Sequence, residues 1–222
     1  MAENKDFVLD GLYPDPEDER DFDVIGYDQV ADAVTAGGIQ TEFPGMKEDL
    51  RIMNQGRSPM CVGFSGAQFM NIVNIITGAG IEVEPKALYD LSREMIPGTP
   101  PESGSYLRHL LRGMRREGWI ERYYRIYKDD NFDDCLKQAI VVSQGVLLGI
   151  HSANWQKNGY VVYQAMEKGG HAVFACGYTE EGITLANSWG RGWGQNGFGI
   201  LPWGETKKAI KDVWVPVPSL FV

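Results

Sequence analysis

Between Met60 and Ile76 the apolar residues Val62, Phe64, Phe69, Ile72, Val73 and Ile76 recur at the spacing of a helix that buries a broad face. Pro59 just before this stretch and Gly78 just after Thr77 supply a start and a stop signal, which places Cys61 in the first turn. Further helices are predicted at 85–95, 105–117 and 132–144. Within 105–117, Leu107, Leu110, Leu111 and Met114 form an i, i+3, i+4, i+7 stripe that reads as core. Arg108, Arg112, Arg115 and Arg116 lie on another face, which reads as solvated or partner-facing. After Gly145 the pattern shortens to that of strands, with candidates at Val146–Ile150, Tyr160–Gln164, His171–Tyr178, Ile183–Asn187, Phe198–Leu201 and Val213–Val217, separated by glycine-rich turns. Helices first and strands second predict an α+β fold with a helical lobe over 50–140 and a β-rich lobe over 141–222, not a doubly wound sheet.

Residues 1–49 have a different character. Gly11-Leu12-Tyr13-Pro14-Asp15-Pro16 is dense in turn formers, and Glu17-Asp18-Glu19-Arg20-Asp21 is a charged run. A short helix is expected at Asp28–Val34, and Phe7, Leu9, Tyr13, Phe22 and Ile25 suggest an arm that packs on a body. The chain of 222 residues has a net charge of −9, distributed as −11 over residues 1–49 and +2 over the rest. Residues 106–128 carry seven basic side chains against two acidic ones. The expectation is that the acidic arm docks on this basic segment and restrains or orders the site. The overall acidity argues against nucleic acid as a partner, because phosphate binding needs a basic face. No apolar run is long enough for a membrane span, and Met1-Ala2-Glu3-Asn4-Lys5-Asp6 shows no secretory leader. A cytoplasmic or virion-associated location follows as the expectation.

The three cysteines, Cys61, Cys135 and Cys176, are far apart and odd in number, which speaks against a zinc site or a disulfide framework. No metal or other cofactor is expected. Cys135 and Cys176 fall inside a helix and a strand and read as core. A thiol at a helix N-terminus feels the positive end of the helix dipole, so Cys61 is the candidate nucleophile. Of the three histidines, His109 and His151 read as surface or core residues, whereas His171 opens a strand and can face a cleft. Asn187 ends the next strand, so a hairpin brings it beside His171, where its side-chain carbonyl can orient the ring. Trp189 would shield that hydrogen bond from water. Gln55, six residues before Cys61, offers a neutral donor to an oxyanion, alongside the Cys61 N–H.

Three blocks carry a resemblance: Asn54-Gln55-Gly56 followed by Cys61-Val62-Gly63-Phe64-Ser65; Gly170-His171-Ala172-Val173; and Asn187-Ser188-Trp189-Gly190-Arg191-Gly192-Trp193-Gly194-Gln195-Asn196-Gly197-Phe198. Together they resemble the signature segments of papain-like cysteine peptidases over about residues 50–203. The third block is the most specific, and the gaps from Gln55 to Cys61 and from His171 to Asn187 match the family's.

The resemblance implies a papain-like two-lobe fold with the site in the cleft between the lobes. It implies Cys61 as nucleophile, His171 as base, Asn187 as orienting group, Gln55 in the oxyanion hole and Trp189 as cover. It also implies that Ser103-Gly104-Ser105-Tyr106-Leu107, Gly170 and Ala172 meet the substrate, with Gly104, Ser105, Gly170 and Ala172 as the binding positions. The arm Gly11-Leu12-Tyr13-Pro14-Asp15 through Arg20-Asp21 is similar to a motif of bacterial members. Ser58 stands where papain has a second cysteine and Val62 where a tryptophan is usual. Only 110 positions separate Cys61 from His171. These departures imply a trimmed, disulfide-free branch of bacterial or viral type. The expected activity is endopeptidase hydrolysis of peptide or protein substrates through an acyl-enzyme. The alternatives are a structural or binding role in a larger assembly such as a virion, and acyl transfer or deamidation on the same fold.

Overall fold

The structure is a computed structural model that describes residues 11–18, 21, 23, 40–45, 47–96, 98, 100, 103–151, 153–165 and 169–219. The helix expected at Asp28–Val34 and the anchors Phe7, Leu9, Phe22 and Ile25 lie outside the described residues.

Helix α1 (Cys61–Thr77) is the central element. Its buried residues wrap most of its circumference, from Cys61 and Val62 through Phe69 and Met70 to Val73, because it packs against α2 (Pro85–Arg93), α3 (Leu107–Arg116) and the sheet. It ends where expected: Gly78 takes φ 65°, a left-handed conformation that glycine adopts at no steric cost, and its N–H caps the Asn74 carbonyl. Proline at the first position of α2 sets that helix's start.

After α3 the chain forms β1 (Ile120–Arg125), α4 (Phe132–Ser143), β2 (Val146–Ile150), β3 (Ala153–Trp155), β4 (Val161–Tyr163), β5 (His171–Tyr178), β6 (Gly182–Ala186), β7 (Phe198–Pro202), a short 3₁₀ turn, α5 (Thr206–Ala209) and β8 (Ile210–Pro218). Six strands make one sheet in the order β1-β8-β2-β5-β6-β7, with every neighbouring pair antiparallel, and β3 and β4 make a separate hairpin. The architecture is α+β, with α1, α2 and α3 packed on one face of the sheet and α4 on the other.

The strand period explains why β5 is apolar throughout. Val173, Ala175 and Tyr178 join a core built with α4, while Ala172, Phe174 and Cys176 join the core of α1, α2 and α3. All eight residues of β5 are buried. The two hydrophobic clusters therefore meet on opposite faces of the sheet, and α4 packs with the first of them although it begins before residue 141.

β1, β3 and the burial of Arg108 depart from the sequence pattern. Strand β1 was not signalled, because its arginines and tyrosines hide the alternation. Arg108, read as solvated or partner-facing with its neighbours, is only 4% exposed and turns toward residues of the arm. Among the described residues no helix is long and apolar enough to cross a membrane.

Candidate active site

Cys61 is the first residue of α1 and is fully buried. Its position follows from the helix start: the N-terminal N–H groups have no partner within the helix and gather partial positive charge around the sulfur. His171 is the first residue of β5, paired across the sheet with Ile150 of β2. Asn187 follows β6 directly, and the β5–β6 hairpin, with Phe174 opposite Ala186, returns it to the end of the sheet where His171 stands.

The His171 Nε2 lies 2.8 Å from the Asn187 Oδ1, and the same oxygen accepts the Ser188 backbone N–H at 2.8 Å. That second bond fixes the roles. An oxygen that already accepts a main-chain N–H must be the carboxamide carbonyl, so Nε2 donates and Nδ1 keeps its lone pair. The Nδ1 is buried and has no hydrogen-bond partner.

Aromatic rings enclose this pair. Trp189 stacks on the imidazole with ring centres 4.8 Å apart and planes at 26°, and Trp155 meets it edge-on at 5.0 Å and 86°. Trp193 closes the cage against Trp189 and Trp155. In these dry surroundings burial pushes the imidazole down to about 4, against a smaller upward pull from the Asn187 hydrogen bond. The ring is therefore neutral at physiological pH as it stands.

Gln55 is held against the same segment. Its N–H donates to the Ser188 carbonyl, its Oε1 accepts the Ser188 hydroxyl at 2.5 Å, and its Nε2 donates to the Ser58 carbonyl at 2.8 Å. The carboxamide is thus pinned at both ends, and among the described residues one Nε2 hydrogen has no acceptor.

Sequence reasoning missed three contributors. Trp155 sits in a three-residue strand with no pattern to mark it. Ser188 lies in the third block but carries no chemistry of its own. Gln68, fully buried on α1, donates its Nε2 to the Asn187 carbonyl at 3.2 Å and so ties the cysteine-bearing helix to the asparagine. The Gln68 Oε1 and the Asn187 Nδ2 are buried without a hydrogen-bond partner. A polar residue spaced seven positions after Cys61, on a helix buried nearly all round, was the available clue.

The cleft positions are engaged by the chain itself. Ser105 donates its N–H to the Gly11 carbonyl at 3.0 Å and accepts the Tyr13 N–H at 2.8 Å, while the Gly170 carbonyl accepts the Leu12 N–H at 3.3 Å. Gly104 precedes this bridge and is buried, and Ala172 is buried beyond Gly170. A Cβ on Gly11 would lie 2.8 Å from the Cys61 Sγ. Consecutive arm residues thus touch Cys61 and the residue before His171, which brings the helix end and the strand end to one place. Among the described residues no group of three His, Cys, Asp or Glu side chains is placed to hold a metal ion.

Residues 65–213 match the papain family cysteine protease domain, about two thirds of the chain. The chain belongs to the papain family of cysteine proteases. The matched stretch includes His171, Asn187 and Trp189 and begins just after Cys61. Solved structures of the same fold include xylellain, a cysteine protease from Xylella fastidiosa, at TM-score 0.78 and 18% identity, covering 95% of this chain and 97% of that one. Digestive procathepsin L2 from Tenebrio molitor superposes at TM-score 0.71 and 18% identity over 95% of this chain and 78% of that one. The Carica candamarcensis cysteine protease CMS1MS2, in complex with E-64, does so at 0.65 and 20% over 81% and 99%. No curated protein matches the sequence. Membership of this family makes the chain a cysteine peptidase, acting on peptide or protein substrates.

Proposed function

We infer that the chain is an endopeptidase in which the Cys61 thiolate attacks the scissile carbonyl and an acyl-enzyme forms. The observation that carries this reading is the fixed direction of the His171–Asn187 hydrogen bond. It leaves Nδ1, and only Nδ1, free to take the thiol proton and hand it to the leaving amine. Gln55 Nε2 and the Cys61 N–H hold the oxyanion, and water then releases the acyl group. Gly104, Ser105, Gly170 and Ala172 bind the substrate backbone once the arm has left them. The buried neutral imidazole belongs to the covered site. Opening the cleft readmits water and lets the ring share a proton with the thiol.

All three cysteines are buried, and none of them forms a disulfide. This supports the disulfide-free bacterial or viral branch and a reducing location, in the cytoplasm or a virion. Cys176, whose thiol burial pushes up to about 12, and Cys135, shifted the same way, are inert by comparison.

The test is to incubate the protein with an unfolded polypeptide and map new N-termini, together with labelling by an epoxysuccinyl or iodoacetamide probe located by peptide mapping. New N-termini that vanish in Cys61→Ala, and Cys61 labelling that outpaces Cys135 and Cys176 and collapses in His171→Ala, are the expected results. Intact substrate with deamidated side chains, or equal labelling of all three thiols, would overturn the reading.

A further inference from the structure

Residues 103–105 lie in the connection between α2, which ends at Arg93, and α3, which begins at Leu107. No cysteine lies in that connection, so no disulfide can fasten it. A connection of this length loses much conformational freedom when it is held still, and a backbone that pairs with an extended chain has to be held still. The Ser105 N–H and C=O do pair with such a chain, through the Gly11 carbonyl and the Tyr13 N–H.

One turn of α2 supplies the fastening. The Tyr89 hydroxyl donates to the Ser103 carbonyl. The Arg93 guanidinium donates to the Gly104 carbonyl at 2.6 Å and to the Pro100 carbonyl at 2.7 Å. The Ser105 hydroxyl donates to the Ser92 hydroxyl at 2.7 Å, which passes its own hydrogen to the Tyr89 carbonyl at 2.7 Å. Ser92 and Ser105 are both 0% exposed, so water does not compete for this pair. Positions 89, 92 and 93 share one helix face, being three and four residues apart. Three consecutive residues are thus each held by a different side chain of that face.

The same tyrosine meets the helix of the nucleophile. A Cβ on Gly63 would lie 2.8 Å from the Tyr89 Cβ and 2.2 Å from the Pro85 carbonyl oxygen. Only the absence of a side chain there lets α2 sit against the first turn of α1, two residues from Cys61. Burial pushes the Tyr89 phenol above its ordinary 10.0, with Arg93 opposing and Cys61 among the smaller contributors, so the hydroxyl stays a neutral donor.

We propose that Tyr89, Ser92 and Arg93 are positioning residues, a cradle that holds residues 103–105 at a set distance from Cys61 so that a substrate gripped at Ser105 presents its scissile carbonyl to the thiol. This rests on the peptidase reading of the site. The three side chains act through the groups they hold and not on the reacting atoms. The lever is short. Leu12, between the two bonds to Ser105, is one position from Gly11, which abuts the Cys61 sulfur. An acyl chain bound the same way has at most two residues, about 7 Å extended, between grip and thiol, so any drift of the segment carries the carbonyl with it. The cradle therefore acts on substrates long enough to reach Ser105 and is silent for those that end sooner.

The test compares hydrolysis by the full chain of two anilides with one leaving group: a four-residue peptide anilide, which extends past Ser105, and a single acetylated amino acid anilide, which ends before it. Both need the same access to Cys61, so the ratio of their kcat/KM values cancels whatever the arm contributes and any loss of folded protein. In Tyr89→Phe, which keeps the ring against Gly63, the ratio of long to short should fall about tenfold, because one carbonyl loses its donor. Arg93→Met should lower it at least as far, and Arg93→Lys, which keeps a donor for Gly104, should recover most of that loss. The two positions are tested separately, so either decides if the variant at the other does not fold. An unchanged ratio, including one in which both substrates slow equally, overturns the cradle and leaves the peptidase reading standing. If the natural protein cuts neither anilide, the peptidase reading fails, and hydrogen exchange of the Ser105 amide decides the cradle. Measured against the β5 amides of the same chain, that exchange should quicken about tenfold in Tyr89→Phe, and an unchanged rate overturns the proposal.

Discussion

Two buried polar assemblies lie close to arm residues 11–15, and they are built on opposite electrostatic plans. Around His171 everything is neutral: an imidazole, three carboxamides and a hydroxyl, with three indole rings excluding water. Around Asp15 everything is ionic: three carboxylates, of Asp15, Asp21 and Asp212, and two guanidiniums, of Arg108 and Arg125, share one aromatic face, that of Trp214. The neutral assembly specifies direction, since each group has one way to point. The ionic assembly specifies adhesion, since its attractions are strong but its acid excess ties them to the proton concentration. A site that must present one lone pair to one sulfur is served by the first plan, and a segment that must be held to the body of the protein by the second.

The comparison is broken most severely by removing the ring. His171→Ala should lower peptide hydrolysis by roughly 10⁴-fold or more, because nucleophile and base act as a unit. Asp15→Asn should leave hydrolysis unchanged, measured as kcat/KM at pH 8.5. A comparable loss from both substitutions would mean that the two assemblies are not functionally separate.

Gln55→Ala comes next. Loss of one oxyanion donor typically costs about 10²–10³-fold in turnover. Here the Ser188 hydroxyl also loses its acceptor, so Ser188→Ala should show a smaller deficit of the same kind, in kcat and not in KM. A change confined to KM would assign Gln55 to substrate binding alone.

Gln68→Met follows, with a similar volume and no donor. It leaves the buried Asn187 carbonyl unsatisfied, a cost of about 1–3 kcal/mol if expressed fully in the position of Asn187. Hydrolysis should fall roughly tenfold. An unchanged rate alongside a lowered melting temperature would make the contact purely structural.

How much of this was readable beforehand depended on whether the information was local. Cys61 at a helix start, the all-apolar β5 and the Asn187 hairpin are set by neighbouring residues, and their places followed from period and turn signals. The burial of Gln68 and of Arg108 was not readable, because a polar residue on a helix is expected to face water or an exposed partner. Each is buried only because a partner over 85 positions away meets it: Asn187 for Gln68, Asp21 for Arg108. β1 was invisible for a related reason. Its Arg125 is buried by carboxylates from the arm and from β8, so the strand lacks the apolar alternation that burial normally leaves in a sequence. The charge asymmetry between residues 1–49 and 106–128 pointed to an attraction, but nothing in it gave the three-to-two count of buried charges.

The smallest expected effect sharpens the comparison best, because the two assemblies should respond to pH with opposite signs. His171 is held neutral by burial, down to about 4 from an ordinary 6.5, so its contribution is complete above the ordinary value and is lost as pH falls toward 4. Asp15 is raised to about 7, so its contribution is complete in acid and is lost as pH rises through that value. His109 and His151 are also lowered by burial, so the raw profile of melting temperature against pH mixes several groups. Differences between the natural protein and single neutral replacements isolate each assembly. Relative to His171→Gln, which keeps a donor for Asn187, the natural protein should lose about 2–5 °C between pH 7 and 5.5. Relative to Asp15→Asn it should show no such acid loss and should instead decline between pH 5.5 and 7.5. Parallel curves in both comparisons would mean that neither burial shifts its group, and the contrast between a directing site and an adhesive one would have no measurable counterpart.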